Sequence, residues 1–438
     1  MLAALRDFAG YLGELARDTV QIWWALFPQL MTLHLVGWLG YHLTFAVAVT
    51  VADTQLWPAV ALFSTAFVWI LASILLQLRL LGDALGVPGL VQSAGADPSD
   101  EPNDLGRLLA VTLLPFLGIY AAFGYVDKAV NTFSVTSIGQ TGVLFEGNIF
   151  VGLVPAGWAG SLLVFGIIVV TYCVRRGLDL LHEKFERRFL GILAALVECF
   201  FLLTVVLTGS RTIGRIQQWW ATRRFSEWID SFVDGIGVTL AHLHIDLGWL
   251  LRGWDFIWSQ ILPLLAKAVV EPVVWLAVAA LVFGTHVLSV ADLWRRGERP
   301  SDALSQLTAR RLRRAGGRSV HGRRAWLEFQ EAFLGDVDDK YVPTFQALRL
   351  VLHVGLLFLA AFIVLHAVIT SGQILLNRGV MVAMGGHSYS FWSTFRPLLD
   401  LIGTLLEPLR LALLAVTFHR CLLLLRARTQ ARRMAVVG

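Results

Sequence analysis

The sequence predicts an all-α polytopic membrane protein with eight transmembrane helices, and three observations carry that prediction. The first is composition: of 438 residues, 56% are hydrophobic and 15% charged, against ~45–50% and ~25% in soluble chains. The second is length, since eight apolar runs approach the ~20 residues that cross ~30 Å of hydrocarbon. The third is punctuation. Four runs open on proline, at Pro58, Pro155, Pro272 and Pro408. Proline suits the first helical turn, where its missing N–H would lack a partner anyway.

Taken in order, residues 1–24 read as a cytoplasmic-side amphipathic helix. Arg6, Asp7, Glu14, Arg17 and Asp18 alternate with Leu2, Leu5, Phe8, Leu12 and Leu15, a pattern of the membrane surface and not of a cleavable signal. The spans fall at 30–51, 58–78, 108–125, 156–174, 189–209, 272–291, 349–370 and 408–425. Residues 25–209 form a first membrane block holding five of them. Within it, 83–106 is rich in Gly, Pro and Asp and reads as a linker. The outer loop 126–155 alternates as VNTFSVTS and VLFEGNIFVG, a β-like hairpin.

Segment 210–271 carries Trp219, Trp220, Trp228, Trp249, Trp254 and Trp258 on two amphipathic runs. Tryptophan favours the membrane–water boundary, so this segment reads as interfacial helices along the outer leaflet. Span 272–291 leads into a basic cytoplasmic loop at 292–348. Residues 349–425 hold spans 7 and 8 with a second β-like outer loop at 371–407, and 426–438 form a basic cytoplasmic tail. The two β-like loops together predict a small extracytoplasmic cap.

Charge sets the orientation. With both termini in the cytoplasm, 25 Lys and Arg residues fall on inner segments and nine on outer ones, as the positive-inside rule requires. Only four of the 36 basic residues are lysine, a skew typical of GC-rich bacterial genomes, so the expected location is a bacterial inner membrane. The net charge of +5 records this topology and carries no nucleic-acid signal. The two halves also match in order: span, outer connection, Pro-started span, inner loop, span, outer loop, Pro-started span. Asp83–Ala84–Leu85 and Asp302–Ala303–Leu304 echo each other. The match suggests a 4+4 parallel repeat.

Glu198 stands at the middle of span 5, where an ionised side chain costs on the order of 3 kcal/mol. It reads as a proton relay or polar-solute contact, or else as a structural hydrogen bond by a neutral acid. His42, at matching depth in span 1, is its candidate partner, or else bonds a backbone carbonyl in a neighbouring helix. Weaker candidates are His366, His286 and His419, and the acid–base pair Glu407 and Arg410 at the start of span 8. Glu407, like Glu271, precedes a proline at a helix start and reads as a cap. Trp219, Trp220, Trp228, Trp254 and Trp258 are expected to contact lipid. Arg310, Arg311, Arg313 and Arg314 set topology, or dock anionic head groups or a cytoplasmic partner.

No cofactor is expected. The histidine depths do not match a haem. Cys173, Cys199 and Cys421 all fall in spans without zinc-site spacing or a disulfide partner. Nucleotide-binding, metalloprotease and hydrolase motifs are absent, which leaves no enzyme signature. Two functions compete: translocation of a small solute, proton or lipid through a helical bundle, and a non-catalytic scaffold or accessory subunit of an envelope complex. The expected partners are membrane lipids, other membrane or envelope proteins, or a second copy of the chain.

Overall fold

The structure, a computed structural model, describes residues 2–52, 54–87, 116–118, 120–121, 123–141, 165–174, 177–178, 193–205, 253, 256–284 and 355–437. Among these residues every regular element is helical and no strand occurs. In chain order the helices are α1 (Leu2–Ala25), α2 (Phe27–Ala52), α3 (Leu56–Ala84), α4 (Tyr125–Thr141), α5 (Phe165–Val174) and α6 (Leu193–Val205). They continue as α7 (Glu271–Gly284), α8 (Leu356–Met384), α9 (Tyr389–Gly403) and α10 (Glu407–Val437).

Among the described residues, five stretches are long and apolar enough to cross a bilayer: Phe27–Ala52, Trp57–Ala84, Ile257–Ala280, Leu356–Met384 and Phe395–Leu424. The chain is therefore a multi-pass membrane protein. α5 and α6 are shorter apolar helices inside the expected spans 4 and 5. Most of span 3, Pro155, the linker beyond Val87, residues 210–252 and the loop 292–348 lie outside the described residues.

The β-like readings of both outer loops are corrected. Residues 126–141 belong to α4, which buries Val126, Val130, Phe133, Ser134 and Ser137, a stripe of helical period. The Ser134 and Thr136 hydroxyls donate to the carbonyls of Val130 and Thr132, at 2.9 and 2.8 Å. The polar and β-branched residues that suggested a strand thus bond within the helix. Residues 142–155 lie outside the described set. In the second loop, 371–384 complete α8 and 389–403 form α9. The apolar run of α8 continues four turns past its expected end. Gly385, at φ 76°, stops it with a backbone conformation that side chains disfavour.

The proline pattern also divides. Pro58 is the third residue of α3 and Pro408 the second of α10, as expected of helix starts. Pro272 instead follows a continuing helical run from Ile257. That run contains π-type turns at Ile257–Ile261 and Ala266–Val270. Each precedes a proline, Pro263 and Pro272, by two residues. A proline ring clashes with the carbonyl four residues back and donates no hydrogen bond; a widened turn relieves both.

Contacts divide the chain into two compact units. Unit 1 comprises Met1–Leu43, Val68–Gly118 and Val273–Gly438. In it α1 lies along α8 and α10, with Leu15 and Thr19 buried and Tyr11 edge-on to Phe358 at 5.7 Å. Leu26 N–H donates to Ile22 and Leu30 N–H to Leu26, so α1 runs almost unbroken into α2. Arg420 of α10 donates to Asp18 at 3.0 Å and Glu14 at 2.9 Å. His34 meets the Thr404 hydroxyl at 3.2 Å. These pairs set α1 and the start of α2 antiparallel to α10. Neighbouring helices, not only a lipid surface, therefore cover the apolar side of α1.

The Arg420–Asp18 pair is about two-thirds buried on each side. Asp18→Asn is expected to lower stability by ~0.5 kcal/mol, the scale of partly exposed pairs, and by less in high salt. Thermal unfolding in detergent at two salt concentrations measures it. An equal loss at both would assign the effect to packing.

α10 is buried on all sides from Leu411 to Phe418, which explains why that stretch is apolar all round but for Thr417. Phe283 of α7 stacks on Phe418 at 5.3 Å over Gly82 of α3, where a Cβ would overlap the Phe283 ring. α2 and α3 cross closely at Gly37 and Gly40, against Ser73 and Trp69. The Ser73 hydroxyl donates to the Leu33 carbonyl at 2.9 Å, and Gln77 donates to that hydroxyl at 3.0 Å. Small residues at a membrane crossing admit such backbone bonds. Leu356, Val364, Val368, Leu375 and Val382 of α8 point outward, as lipid-facing positions do.

Unit 2 comprises Thr44–Phe67 and Ile119–Pro272. Its core is aromatic: Phe63 lies 6.1 Å from Phe45 and 4.9 Å from Phe133, and Phe45 meets Phe133 edge-on at 5.7 Å. α6 is held by Cys199, whose thiol donates to the Ser64 carbonyl at 3.1 Å.

Candidate functional site

Among the described residues of unit 1, the start of α10 builds a buried polar site. Pro408 begins the helix, and the i,i+3 spacing brings Glu407 and Arg410 onto one face. They form an ion pair at 2.8 Å. The Arg410 side chain is only 7% exposed and that of Glu407 24%, so the acid is the more accessible member of the pair. The Arg410 guanidinium carbon lies 5.0 Å from the centroid of Trp275 on α7, a cation–π arrangement. Trp275 is 1% exposed and takes Phe116 edge-on at 5.8 Å.

α8 completes the cluster with His366, 4% exposed and beside Phe362 at 6.0 Å. Arg410 is in charge range of its ring. Nε2 of His366 is buried with no hydrogen-bond partner among the described residues. Two helices, α10 and α8, thus supply a guanidinium, a carboxylate and an imidazole, and α7 covers the guanidinium with Trp275. Such a set can bind a small ion, hand on a proton, or simply cross-brace helices.

Unit 2 holds the other buried acids. Glu198 on α6 is 3% exposed, next to Cys199. Glu271 is 4% exposed and accepts a 2.6 Å hydrogen bond from the Tyr125 hydroxyl. The cap reading of Glu271 named no such partner, and the structure supplies a tyrosine from α4. Tyr125→Phe removes a donor to a buried carboxylate and is expected to cost ~1–3 kcal/mol, read by thermal unfolding. A variant as stable as wild type would mean that Glu271 does not depend on this bond.

His42 belongs to unit 1 and Glu198 to unit 2. The His42 ring lies between Trp38, at 4.7 Å, and Tyr41, at 5.2 Å, with Asp400 of α9 in charge range. His419 sits beside Arg420 and Asp18. Trp258 is 54% exposed. His286, Trp219, Trp220, Trp228, Trp254, Arg310, Arg311, Arg313 and Arg314 lie outside the described residues. Among the described residues no three His, Cys, Asp or Glu side chains converge as a metal site.

No family model, curated protein or solved structure matches the chain. Function therefore rests on the site itself. Sequence reasoning paired Glu407 with Arg410 but missed Trp275. The available signal was its position: a tryptophan one turn after Glu271, well inside an apolar run, does not fit an interfacial anchor.

Proposed function

We propose that the protein moves a proton or a small polar solute through its helical bundle, with Arg410, Glu407 and His366 as the working groups. One observation carries this reading. A guanidinium lies buried under a tryptophan within an apolar span, in charge range of an imidazole whose buried nitrogen has no hydrogen-bond partner among the described residues. Ionisable groups at such depth are expensive and concentrate on ion and substrate paths. Glu198 is the corresponding group of unit 2.

In the same reading the chain crosses a bacterial inner membrane eight times with both termini in the cytoplasm. The arginine count supports this, as does the antiparallel run of α1, which continues almost unbroken into α2, against α10, since spans 1 and 8 must point in opposite directions. The two four-span blocks are read as parallel repeats.

The test is proton flux into proteoliposomes carrying a trapped pH dye. Wild type should exceed protein-free vesicles, while Arg410→Gln and His366→Phe should each lose most of the flux without losing expression. Glu198→Gln should lower it as well. Flux equal to empty vesicles would overturn the proposal in favour of the scaffold reading.

A further inference from the structure

We infer that the proton reaches the Arg410 cluster through a water-holding seam between α2 and α9, with Asp400 as the group that takes it up. The inference rests on the translocation reading above and names its point of entry.

Register gives the first argument. Asp18 meets Arg420 and His34 meets Thr404, so the two contacts lie sixteen residues apart along each partner. α1 runs almost unbroken into α2. Thr404 and Glu407 donate their N–H groups to the Asp400 and Thr404 carbonyls, at 3.0 and 2.9 Å, so α9 leads on into α10 within one apolar stretch. One antiparallel register therefore sets α2 against α9 and the start of α10. In it Trp38 lies level with Asp400, and His42 with Arg396. Positions four apart share a helix face. His34, Trp38 and His42 thus run along one face of α2, beside Thr404, Asp400 and Arg396. The charges agree with this register: Asp400 lies in charge range of His42 and Tyr41, and Arg396 in range of Tyr41.

Two observations assign water to the seam. Asp400 is exposed, although it stands within the apolar stretch Phe395–Leu424. A carboxylate is costly against lipid, and ionisable groups in spans face the bundle or a wet path. Level with it, Nε1 of Trp38 is buried with no hydrogen-bond partner among the described residues. A buried N–H without an acceptor is also costly, and a bridging water supplies one.

The seam ends at the working groups. The Thr404 hydroxyl donates to the Asp400 carbonyl at 3.1 Å, so its oxygen accepts from Nε2–H of His34 at 3.2 Å. That bond pins the inner end of the seam. Glu407 follows Thr404 by three residues and pairs with Arg410 at 2.8 Å. Asp400 and Glu407 are seven residues and ~10 Å apart along the helix, a gap that water beside Thr404 bridges. The Asp400 carboxylate binds a proton from the outer side and becomes neutral. It then releases that proton along the water to the Glu407 carboxylate and regains its charge.

The experiment combines labelling with flux, on the full-length protein in proteoliposomes. In a Cys173→Ser background, Asp400→Cys and Leu398→Cys are treated with a water-soluble maleimide, which reacts with a thiolate and hence where water reaches. Leu398 is 45% exposed and two residues from Asp400, which sets it across the helix as the lipid-side control. Asp400→Cys should react about tenfold faster than Leu398→Cys, since only the wet position ionises. Equal rates would overturn the inference. In the pH-dye assay Asp400→Asn should lower flux about tenfold, at the modest end for loss of a proton-transfer group. Asp400→Glu should restore most of it, and Trp38→Phe, which keeps an aromatic ring without the N–H, should lower it several-fold. A carboxylate that only braced the helices would instead lower the unfolding temperature of Asp400→Asn and leave its flux as in wild type. That result sinks the entry at Asp400, while lost flux in Arg410→Gln would still support the translocation reading. Wild-type flux no higher than in empty vesicles overturns both.

Discussion

Glu407→Ala is expected to destabilise the protein by ~3 kcal/mol, the scale of removing one partner from a buried ion pair. The asymmetry of the pair decides the size. Glu407 is itself a quarter exposed, so losing its carboxylate sacrifices little burial. What remains is an arginine at 7% exposure whose charge has lost its counter-ion. The cation–π contact with Trp275 offsets ~1–2 kcal/mol of that at most. The double variant Glu407→Ala/Arg410→Met should recover most of the loss, because it removes the stranded charge while keeping the volume. Thermal unfolding in detergent gives both values. A single variant as stable as wild type, or a double variant worse than the single, would refute the account.

Gly37→Leu should cost a comparable ~3 kcal/mol, near the upper range for overpacking. A Cβ at Gly37 would overlap Cβ and Oγ of Ser73 and press on the Trp69 carbonyl. The Ser73 Cβ and the Trp69 carbonyl move only with the α3 backbone, so the helices must separate, and the Ser73–Leu33 bond is lost with them. Gly40→Leu tests the reasoning. The atoms nearest its Cβ belong to the ring of Trp69, a side chain 46% exposed that can swing outward. The expected order is therefore Gly37→Leu well below Gly40→Leu, with Gly40→Leu below wild type. The reverse order would mean that the Trp69 ring, and not the backbone approach, holds the crossing.

The spans at α2, α3, α8 and α10 were legible in the sequence because an apolar run of ~20 residues has few other uses. Pro58 and Pro408 marked helix starts for the reason given by their missing N–H. Two kinds of feature were not legible. Val130, Thr132, Ser134 and Thr136 alternate as a strand does, and only the buried set of α4 shows the helical period that prevailed; local β-propensity yields to packing. The length of α8 was cut short because residues 373–392 show strand-like runs around glycines, while the stopping signal was the single Gly385. The candidate site divides likewise. Glu407 and Arg410 are three residues apart and could be paired on spacing alone. Trp275 and His366 reach them from other helices, and no local pattern announces such a meeting.

The clasp of α1 on α10 also sets a clock for biogenesis. Asp18 and Arg420 are 402 positions apart, so the first helix emerges from the ribosome long before its counter-charge exists. At ~5–20 residues per second, Glu14 and Asp18 wait for roughly 20–80 seconds with only water, head groups or an insertase to solvate them. Chains stalled before the last span carry that unmet acidic face at the membrane. It distinguishes an unfinished molecule from a finished one, and a quality-control protease could read it.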